Sequence, residues 1–190
     1  MRSGFTFNRH PKLEGIHAFL SASNYHWINY DLEKLDERLM THMAAQRGTE
    51  LHAFAHEAIR LGIKMPDTTA TLNSYVNDAL GFRMTPEQTV FYSPNCFGCA
   101  DAISFRQGML RIHDLKTGVT PAKHTQLYVY AAYFCLEYAI KPFEIETELR
   151  IYQNDEVFPE VADPDLITHI MDRAVTFDKH INARRLEGNA

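Results

Sequence analysis

Two runs of alternating residues, joined by the pair Gln107-Gly108, constrain the fold of this chain more than any other feature. The runs cover residues 98–106 and 109–116. Alternation with a period of two indicates β-strands, and an X-Gly pair between two strands is typical of a two-residue hairpin turn. In such a hairpin, residues whose numbers sum to 215 face one another. Asp101 is therefore predicted to lie opposite Asp114.

Alternation also predicts which side chains share a face of this hairpin. Both acids and Lys116 are expected on the face that carries Ile103 and Ile112. Opposed side chains have Cβ atoms about 4.5–5.5 Å apart, and like charges at that separation destabilise a sheet. A divalent cation between the carboxylates removes the repulsion, and oxygen ligands suit Mg²⁺ or Mn²⁺. The alternative is that both acids lie at exposed strand ends and are solvated.

Helical periodicity surrounds the hairpin. We predict helices over about 32–62, 69–80, 121–138 and 164–184, the third one capped by Thr120 with Pro121 at its first position. Strand composition marks 89–93 and 143–152. This order predicts an α/β layered fold. The chain has no linker and no internal repeat, which predicts a single domain over residues 1–190.

Composition narrows the classes of protein to which the chain can belong. Its 190 residues are 45% hydrophobic and 23% charged, which is typical of a globular domain. The net charge of −5 argues against a surface that binds nucleic acid or anionic lipid everywhere, but it permits a local basic groove. Since no long apolar run and no signal-like N-terminus are found, we expect no membrane partner and a cytoplasmic location.

Four motifs occur in order along the chain. They are Gly48-x-x-x-His52 preceded by Arg47, then Gly98-x-x-Asp101, Asp114-Leu115-Lys116-Thr117-Gly118, and Gln126-x-x-x-Tyr130. Together they resemble the PD-(D/E)XK nuclease superfamily, in particular its RecB-like exonuclease branch, and the chain is similar to phage-type relatives of the CRISPR-associated and lambda-type exonucleases. The likeness covers about residues 47–152. It implies a restriction-endonuclease-like three-layer core, a central mixed β-sheet flanked by helices.

The resemblance implies a catalytic group of Asp101, Asp114 and Lys116. Both aspartates would bind one or two Mg²⁺ or Mn²⁺ ions, together with the backbone carbonyl of Leu115 and the imidazole of His52. Lys116 would position the attacking water and stabilise charge on the phosphate. The chemistry of these side chains agrees, because a carboxylate-held metal activates water and a lysine adds a positive charge near the phosphate.

The resemblance also implies that Gln126 and Tyr130 contact DNA near the scissile phosphate. Arg106 and Lys123 are candidates for contacts with the phosphate backbone because they carry positive charge in the motif region. The implied activity is a metal-dependent deoxyribonuclease in DNA recombination, repair or phage DNA processing, and the branch implies exonuclease action on DNA ends or single strands. A homo-oligomer and a recombination or single-strand-binding partner are open possibilities by analogy.

Three alternatives remain from the sequence. The chain could be a DNA-end-binding recombination factor that keeps a nuclease fold without catalysis, or a structure-specific endonuclease. The third is a zinc hydrolase that uses His52 and His56, which are four residues apart on one helix face. Glu57 does not complete such a site, since it lies about 140° round the helix from His52.

The cysteines indicate a reducing compartment and argue against an iron–sulfur cluster. The chain has three, Cys96, Cys99 and Cys135. An odd number is not expected of a secreted, disulfide-bonded chain. Three thiolates do not supply the four that a cluster needs, so no cluster is expected. We predict Cys96 and Cys99 to be buried or half-buried.

Overall fold

The computed structural model describes residues 8–188, and its contacts divide the chain into two compact units, one ending at Arg47 and one beginning at Gly48. The first unit contains two 3₁₀ helices, Pro11–Leu13 and Ala22–Asn29. Helix α1 (Leu32–Leu61) begins in the first unit and ends in the second. The single domain stays a prediction. The expectation about an N-terminal signal falls partly on residues 1–7, which lie outside the described residues.

The second unit is built on one five-stranded sheet. Its elements are α2 (Thr71–Gly81), β1 (Thr85–Ser93), β2 (Cys96–Arg106), β3 (Met109–Leu115), α3 (Thr125–Tyr138), β4 (Glu146–Gln153), β5 (Glu156–Val161) and α4 (Pro164–Gly188). The strand order is β1-β2-β3-β4-β5, and only the β3–β4 pair is parallel. A parallel pair needs a crossover, which α3 supplies. The predicted α/β fold with a mixed sheet flanked by helices is confirmed. Within residues 8–188, no helix has the length and apolarity to cross a bilayer.

The β2–β3 hairpin has the predicted register. Arg106 pairs with Met109 and Ile103 pairs with Ile112. Gln107 and Gly108 both have positive φ, 52° and 77°. Two successive residues with positive φ are what a type I′ turn requires, and this turn matches the twist of the strands that it joins. Local turn chemistry therefore sets the pairing on which the positions of Asp101 and Asp114 depend.

Each face of the sheet has its own apolar core. On one face Leu110, Ile112 and Leu149 pack with side chains of α3 and α4, such as Leu127 and Ile167. On the other face the core contains Leu115 and Tyr152 with side chains of α1 and α2 (Ala55, Ala58, Ile59, Tyr75, Val76 and Ala79). Since the side chains of a strand alternate between faces, the sheet is a middle layer between two helical layers.

Strand β2 departs from this alternation at Asp101. Ala100 and Ile103 belong to the core with α3, whereas Ala102 belongs to the core with α1 and α2. Strict alternation would place Ala100 and Ala102 on one face. The irregularity lies opposite Glu87, which has φ 46° within β1. The predicted common face of Ile103 and Ile112 is found, and the regular alternation of β2 fails between Ala100 and Ala102.

Helix α3 begins later than predicted, at Thr125 and not at Pro121. The cause is a distant side chain, that of Gln153 at the end of β4. Its Nε2 donates hydrogen bonds to the carbonyls of Gly118 and Thr120, and its Oε1 accepts one from Ala122 N–H. These bonds satisfy backbone groups that a helix would otherwise have paired, so this segment remains irregular.

Strand β5 was not predicted from the sequence. It is an edge strand with four exposed residues at its start, and it contains Pro159. Proline is tolerated at an edge because the missing N–H is not needed there, but it weakens the strand signal in a sequence. The other edge strand, β1, begins at Thr85, earlier than the predicted residue 89, and it also contains a proline, Pro86.

A buried polar network joins β3 and β4 to α2. His113 is fully buried, and its Nδ1 lies 3.1 Å from the hydroxyl of Tyr152. That hydroxyl donates to Asp78 Oδ2 at 2.7 Å, and Arg150 donates to the same oxygen at 3.0 Å. Burial lowers the pKa of His113 to about 3, and the charges of Arg150 and Arg111 act in the same direction. The folded protein therefore keeps this imidazole neutral.

We expect His113 to make the folded protein less stable in acid. An unfolded histidine has a pKa of about 6.5, so between pH about 6.5 and 3 the unfolded chain binds a proton that the folded chain does not. This effect of His113 on the free energy of unfolding is absent above pH about 6.5, and the folded protein loses stability as the pH drops below that value. In EDTA, the melting temperature of the His113→Asn variant should be lower at pH 7.5 but should change less between pH 7.5 and 5. An equal pH dependence in both proteins would contradict this.

Candidate functional site

The motif residues meet where β3 ends. Asp114 is 2% exposed, and Lys116 Nζ lies 3.0 Å from each of its carboxylate oxygens. Oδ2 of Asp114 is buried and accepts no hydrogen bond within the described residues. Burying a carboxylate is costly unless an opposite charge accompanies it. Lys116 therefore compensates Asp114 directly.

Asp101 reaches the same strand end from β2. Its Oδ2 accepts a hydrogen bond from the Leu115 N–H at 2.8 Å, and His52 Nδ1 lies 3.5 Å from the same oxygen. Burial raises the pKa of Asp101, and so does the negative charge of Asp114, while the Leu115 N–H, His52 and Lys116 act in the opposite direction. The two carboxylates therefore repel each other in a partly desolvated site. A cation between them would relieve that repulsion.

Lys116 is held on its other side by helix α3. Its Nζ donates to Gln126 Oε1 at 3.1 Å, and Gln126 Nε2 donates to the Tyr130 hydroxyl at 2.7 Å. Gln126 and Tyr130 are four residues apart, so they lie on one face of the helix. The predicted catalytic residues Asp114 and Lys116 and the predicted DNA contacts Gln126 and Tyr130 thus form one continuous chain of polar contacts.

Two glycines allow these elements to approach. A Cβ on Gly98 would lie 2.8 Å from Cε1 of Tyr130, and a Cβ on Gly48 would lie 2.8 Å from Oγ1 of Thr117. Both distances are shorter than ordinary van der Waals contact. Gly98 therefore lets the Tyr130 ring rest on β2. Gly48 lets α1 pass close to the chain after β3, one turn before His52.

The donors at this site fit a hard divalent cation. Asp114 Oδ2 forms no hydrogen bond within residues 8–188 and is paired only by charge, with the Lys116 ammonium at 3.0 Å. Asp101 shares its charge with a backbone N–H and an imidazole. Mg²⁺ and Mn²⁺ accept carboxylate and backbone carbonyl oxygens and keep several waters. Within residues 8–188, no three His, Cys, Asp or Glu side chains are grouped to hold an ion by themselves. A bound ion would thus also need the Leu115 carbonyl and solvent.

His52 and His56 do not share a partner. His52 faces Asp101, whereas His56 Nδ1 lies 3.5 Å from Glu87 Oε2. Glu87 is the residue with positive φ in β1, and sequence reasoning missed it because its strand was predicted to begin at residue 89. The pair of histidines therefore forms two separate histidine–carboxylate contacts between α1 and the β1–β2 hairpin, and the geometry gives no support to a zinc site.

Of the other two predicted DNA contacts, one lies away from this cluster. Arg106 is at the turn end of β2, five residues and roughly 17 Å along the strand from Asp101. Lys123 is exposed in the irregular segment before α3. Their DNA contacts stay predictions. Of the cysteines, Cys96 and Cys135 are buried as free thiols, but Cys99 is exposed, so the predicted burial of Cys99 is wrong. Cys99 lies on strand β2 next to the irregularity at Asp101.

Comparison with known proteins assigns no family to the chain. No protein-family model matches it, and no curated protein matches it. The likeness to PD-(D/E)XK nucleases therefore depends on the four motifs and on the geometry that brings them together.

We expect Gly98→Ala to destabilise the protein through Tyr130. The new methyl group would lie 2.8 Å from the ring, and overpacking of this kind costs about 1–3 kcal/mol. The Tyr130→Ala background should remove most of that cost, as measured by chemical denaturation of the four proteins of a double-mutant cycle. Gly81→Ala is the control, because a Cβ there contacts nothing within 4 Å. Additive free energies in the cycle would contradict this packing role for Gly98.

Proposed function

We propose that this protein is a Mg²⁺- or Mn²⁺-dependent deoxyribonuclease that hydrolyses phosphodiester bonds, of the RecB-like PD-(D/E)XK type. One observation carries the proposal. Three separate parts of the chain supply polar side chains to the end of β3, namely Asp101 from β2, His52 from α1 and Gln126 from α3. If the Asp-x-Lys sequence had occurred by chance, residues of the other three motifs would not be expected to lie beside it.

Each side chain has a task in phosphodiester hydrolysis. A divalent ion held by Asp101, Asp114 and the Leu115 carbonyl, with His52 beside them, would supply a Lewis acid and activate water near neutral pH. The Lys116 ammonium would neutralise charge that develops on the phosphate oxygens. Gln126 and Tyr130 restrict where that ammonium lies, so it is placed before substrate arrives.

DNA is the proposed partner, and its phosphates would approach from the side of α3 that carries Gln126. Gln126 is exposed and already donates to Tyr130, which is partly buried. A DNA contact by this pair would therefore use groups that are held in place by the helix. Exonuclease action and a preference for ends or single strands follow from the resemblance alone. A DNA-end-binding protein without catalysis would need no Lys116 beside Asp114, so the pair favours an enzyme.

We expect Asp114→Asn and Lys116→Ala each to lower DNA cleavage by at least about 10³-fold. The first change removes a charged metal ligand without altering the shape of the side chain, and the second removes the ammonium. Labelled linear DNA with Mg²⁺ or Mn²⁺, compared with EDTA, measures the loss. Lys179→Ala changes an exposed lysine on α4 and should cut normally. Full activity in either site variant would exclude the proposed mechanism.

The wild-type enzyme should degrade linear DNA and leave closed circular DNA intact. An exonuclease requires an end, whereas an endonuclease converts closed circles to nicked or linear forms. Gel analysis of both substrates, in single- and double-stranded form, separates the two modes. Cleavage of closed circles would replace exonuclease with endonuclease. Binding of ends without any cutting, with either metal, would instead favour the non-catalytic DNA-binding factor.

A further inference from the structure

A polar cavity of about 930 Å³ lies at the opposite end of β3 from Asp114. It is bounded by the end of α2, the β2–β3 turn and the start of β4. Met109, at the start of β3, is five residues and roughly 17 Å along the strand from Asp114. The volume suits a small ligand. Three arginines line the cavity, Arg83, Arg106 and Arg111.

Only one of these three arginines forms an ion pair with a carboxylate of residues 8–188. Arg111 Nε lies 3.3 Å from Glu148 Oε1, and its guanidinium stacks on the Phe82 ring at 4.5 Å. The guanidinium groups of Arg83 and Arg106 are exposed and have no hydrogen bond or ion pair with any residue from 8 to 188. Unpaired guanidiniums that share a cavity favour an anion with several oxygens, because their N–H groups match a phosphate or carboxylate.

The acids that line the cavity do not neutralise this pair. Glu144 and Glu146 are the two carboxylates of the lining. Glu144 is already bonded to Lys141 Nζ at 3.1 Å. Arg111 is paired with Glu148, and Glu144 is paired with Lys141. The charged groups left in the lining are two guanidiniums, of Arg83 and Arg106, and one carboxylate, of Glu146. The cavity therefore keeps a net positive charge near its walls.

Arg83 occupies a backbone position that suits glycine. It follows the last turn of α2 with φ 52°. Its N–H donates to the Leu80 carbonyl, and the N–H of Met84 donates to the Ala79 carbonyl. These two bonds define a Schellman motif with Arg83 at its left-handed position, where glycine is preferred. An arginine there has a less favourable backbone than a glycine, and its side chain lines the cavity.

We propose that this cavity binds a nucleotide, with Arg83 and Arg106 contacting the phosphate and Phe143 providing a surface for the base. The Phe143 side chain lines the cavity and is 65% exposed. Bases stack on exposed aromatic rings, and arginine forks bind phosphate oxygens. The same chemistry is present in a free mononucleotide and in the phosphorylated end of a strand. The site does not depend on the proposed nuclease activity.

The test is calorimetric titration of the full-length protein with dAMP and with inorganic phosphate, in EDTA. Arg83→Gly and Arg106→Gln should each raise the Kd for dAMP at least about tenfold, equivalent to about 1.4 kcal/mol. Phe143→Ala should weaken the binding of dAMP but not the binding of inorganic phosphate. Arg173→Gln, which alters a guanidinium stacked on Phe177 of α4, should bind as wild type does.

The Arg83→Gly variant separates binding from folding. Since glycine suits the left-handed position, we expect its melting temperature to equal that of the wild type or to rise by about 2 °C. Weaker dAMP binding in a protein that melts at or above the wild-type temperature supports the site. If its melting temperature falls, unchanged dAMP binding by Arg106→Gln overturns the proposal, and weaker binding by that variant supports it.

A short 5′-phosphorylated single-stranded oligonucleotide distinguishes the two sources of the nucleotide. The ligand is a strand end if the oligonucleotide binds, if its binding weakens in Arg83→Gly and Arg106→Gln, and if dAMP displaces it. Binding of dAMP that the oligonucleotide does not displace identifies a free nucleotide. The proposal is overturned if neither ligand binds with a Kd below about 1 mM, or if both arginine variants bind as the wild type does. The titrations contain EDTA and measure binding alone, so a failed nuclease test leaves this result independent.

Discussion

The hydrogen bond from the Leu115 N–H to Asp101 is the contact on which the arrangement of the candidate site depends. It forms where the β2–β3 ladder ends, with Ala102 and His113 as the last backbone pair. A backbone N–H at that position has lost its ladder partner, and the Asp101 carboxylate takes its place. The same bond ties a side chain of β2 to the backbone that separates Asp114 from Lys116. The Asp101 carboxylate is thus fixed against the main chain next to Asp114.

The rest of the second unit holds that strand end from both faces. On the α3 face, the Tyr130 ring rests on Gly98, and Gln126 reaches Lys116. On the other face, His113 and its polar partners secure β3 and β4 to α2. The charged groups near the site are therefore placed by packed helices and strands, which position groups more accurately than loops do. The repulsion between Asp101 and Asp114 is partly offset by the Leu115 N–H, His52 and Lys116, which all act to lower the pKa of Asp101.

The parts of this structure that local chemistry determines were predictable, and the parts set by distant contacts were not. The hairpin register followed from Gln107-Gly108, because a two-residue turn leaves one pairing. The start of α3 was mispredicted because Gln153, a strand away, bonds the backbone of the preceding segment. The break in alternation at Asp101 required knowledge of the φ angle of Glu87. Spacing placed Gln126 and Tyr130 on one helix face, but only the packed structure connects Gln126 to Lys116.

The two edges of the sheet carry separate obstacles to another strand. At the β1 edge, the Phe91 N–H is occupied by the carboxylate of Glu137 at 2.8 Å. At the β5 edge, Pro159 has no N–H to donate, and the charged residue Glu160 follows it. Blocked edges are a recognised defence against pairing between copies of a chain. If copies of this chain associate, we therefore expect helices and loops to form the contact, with each five-stranded sheet remaining a closed unit of its own.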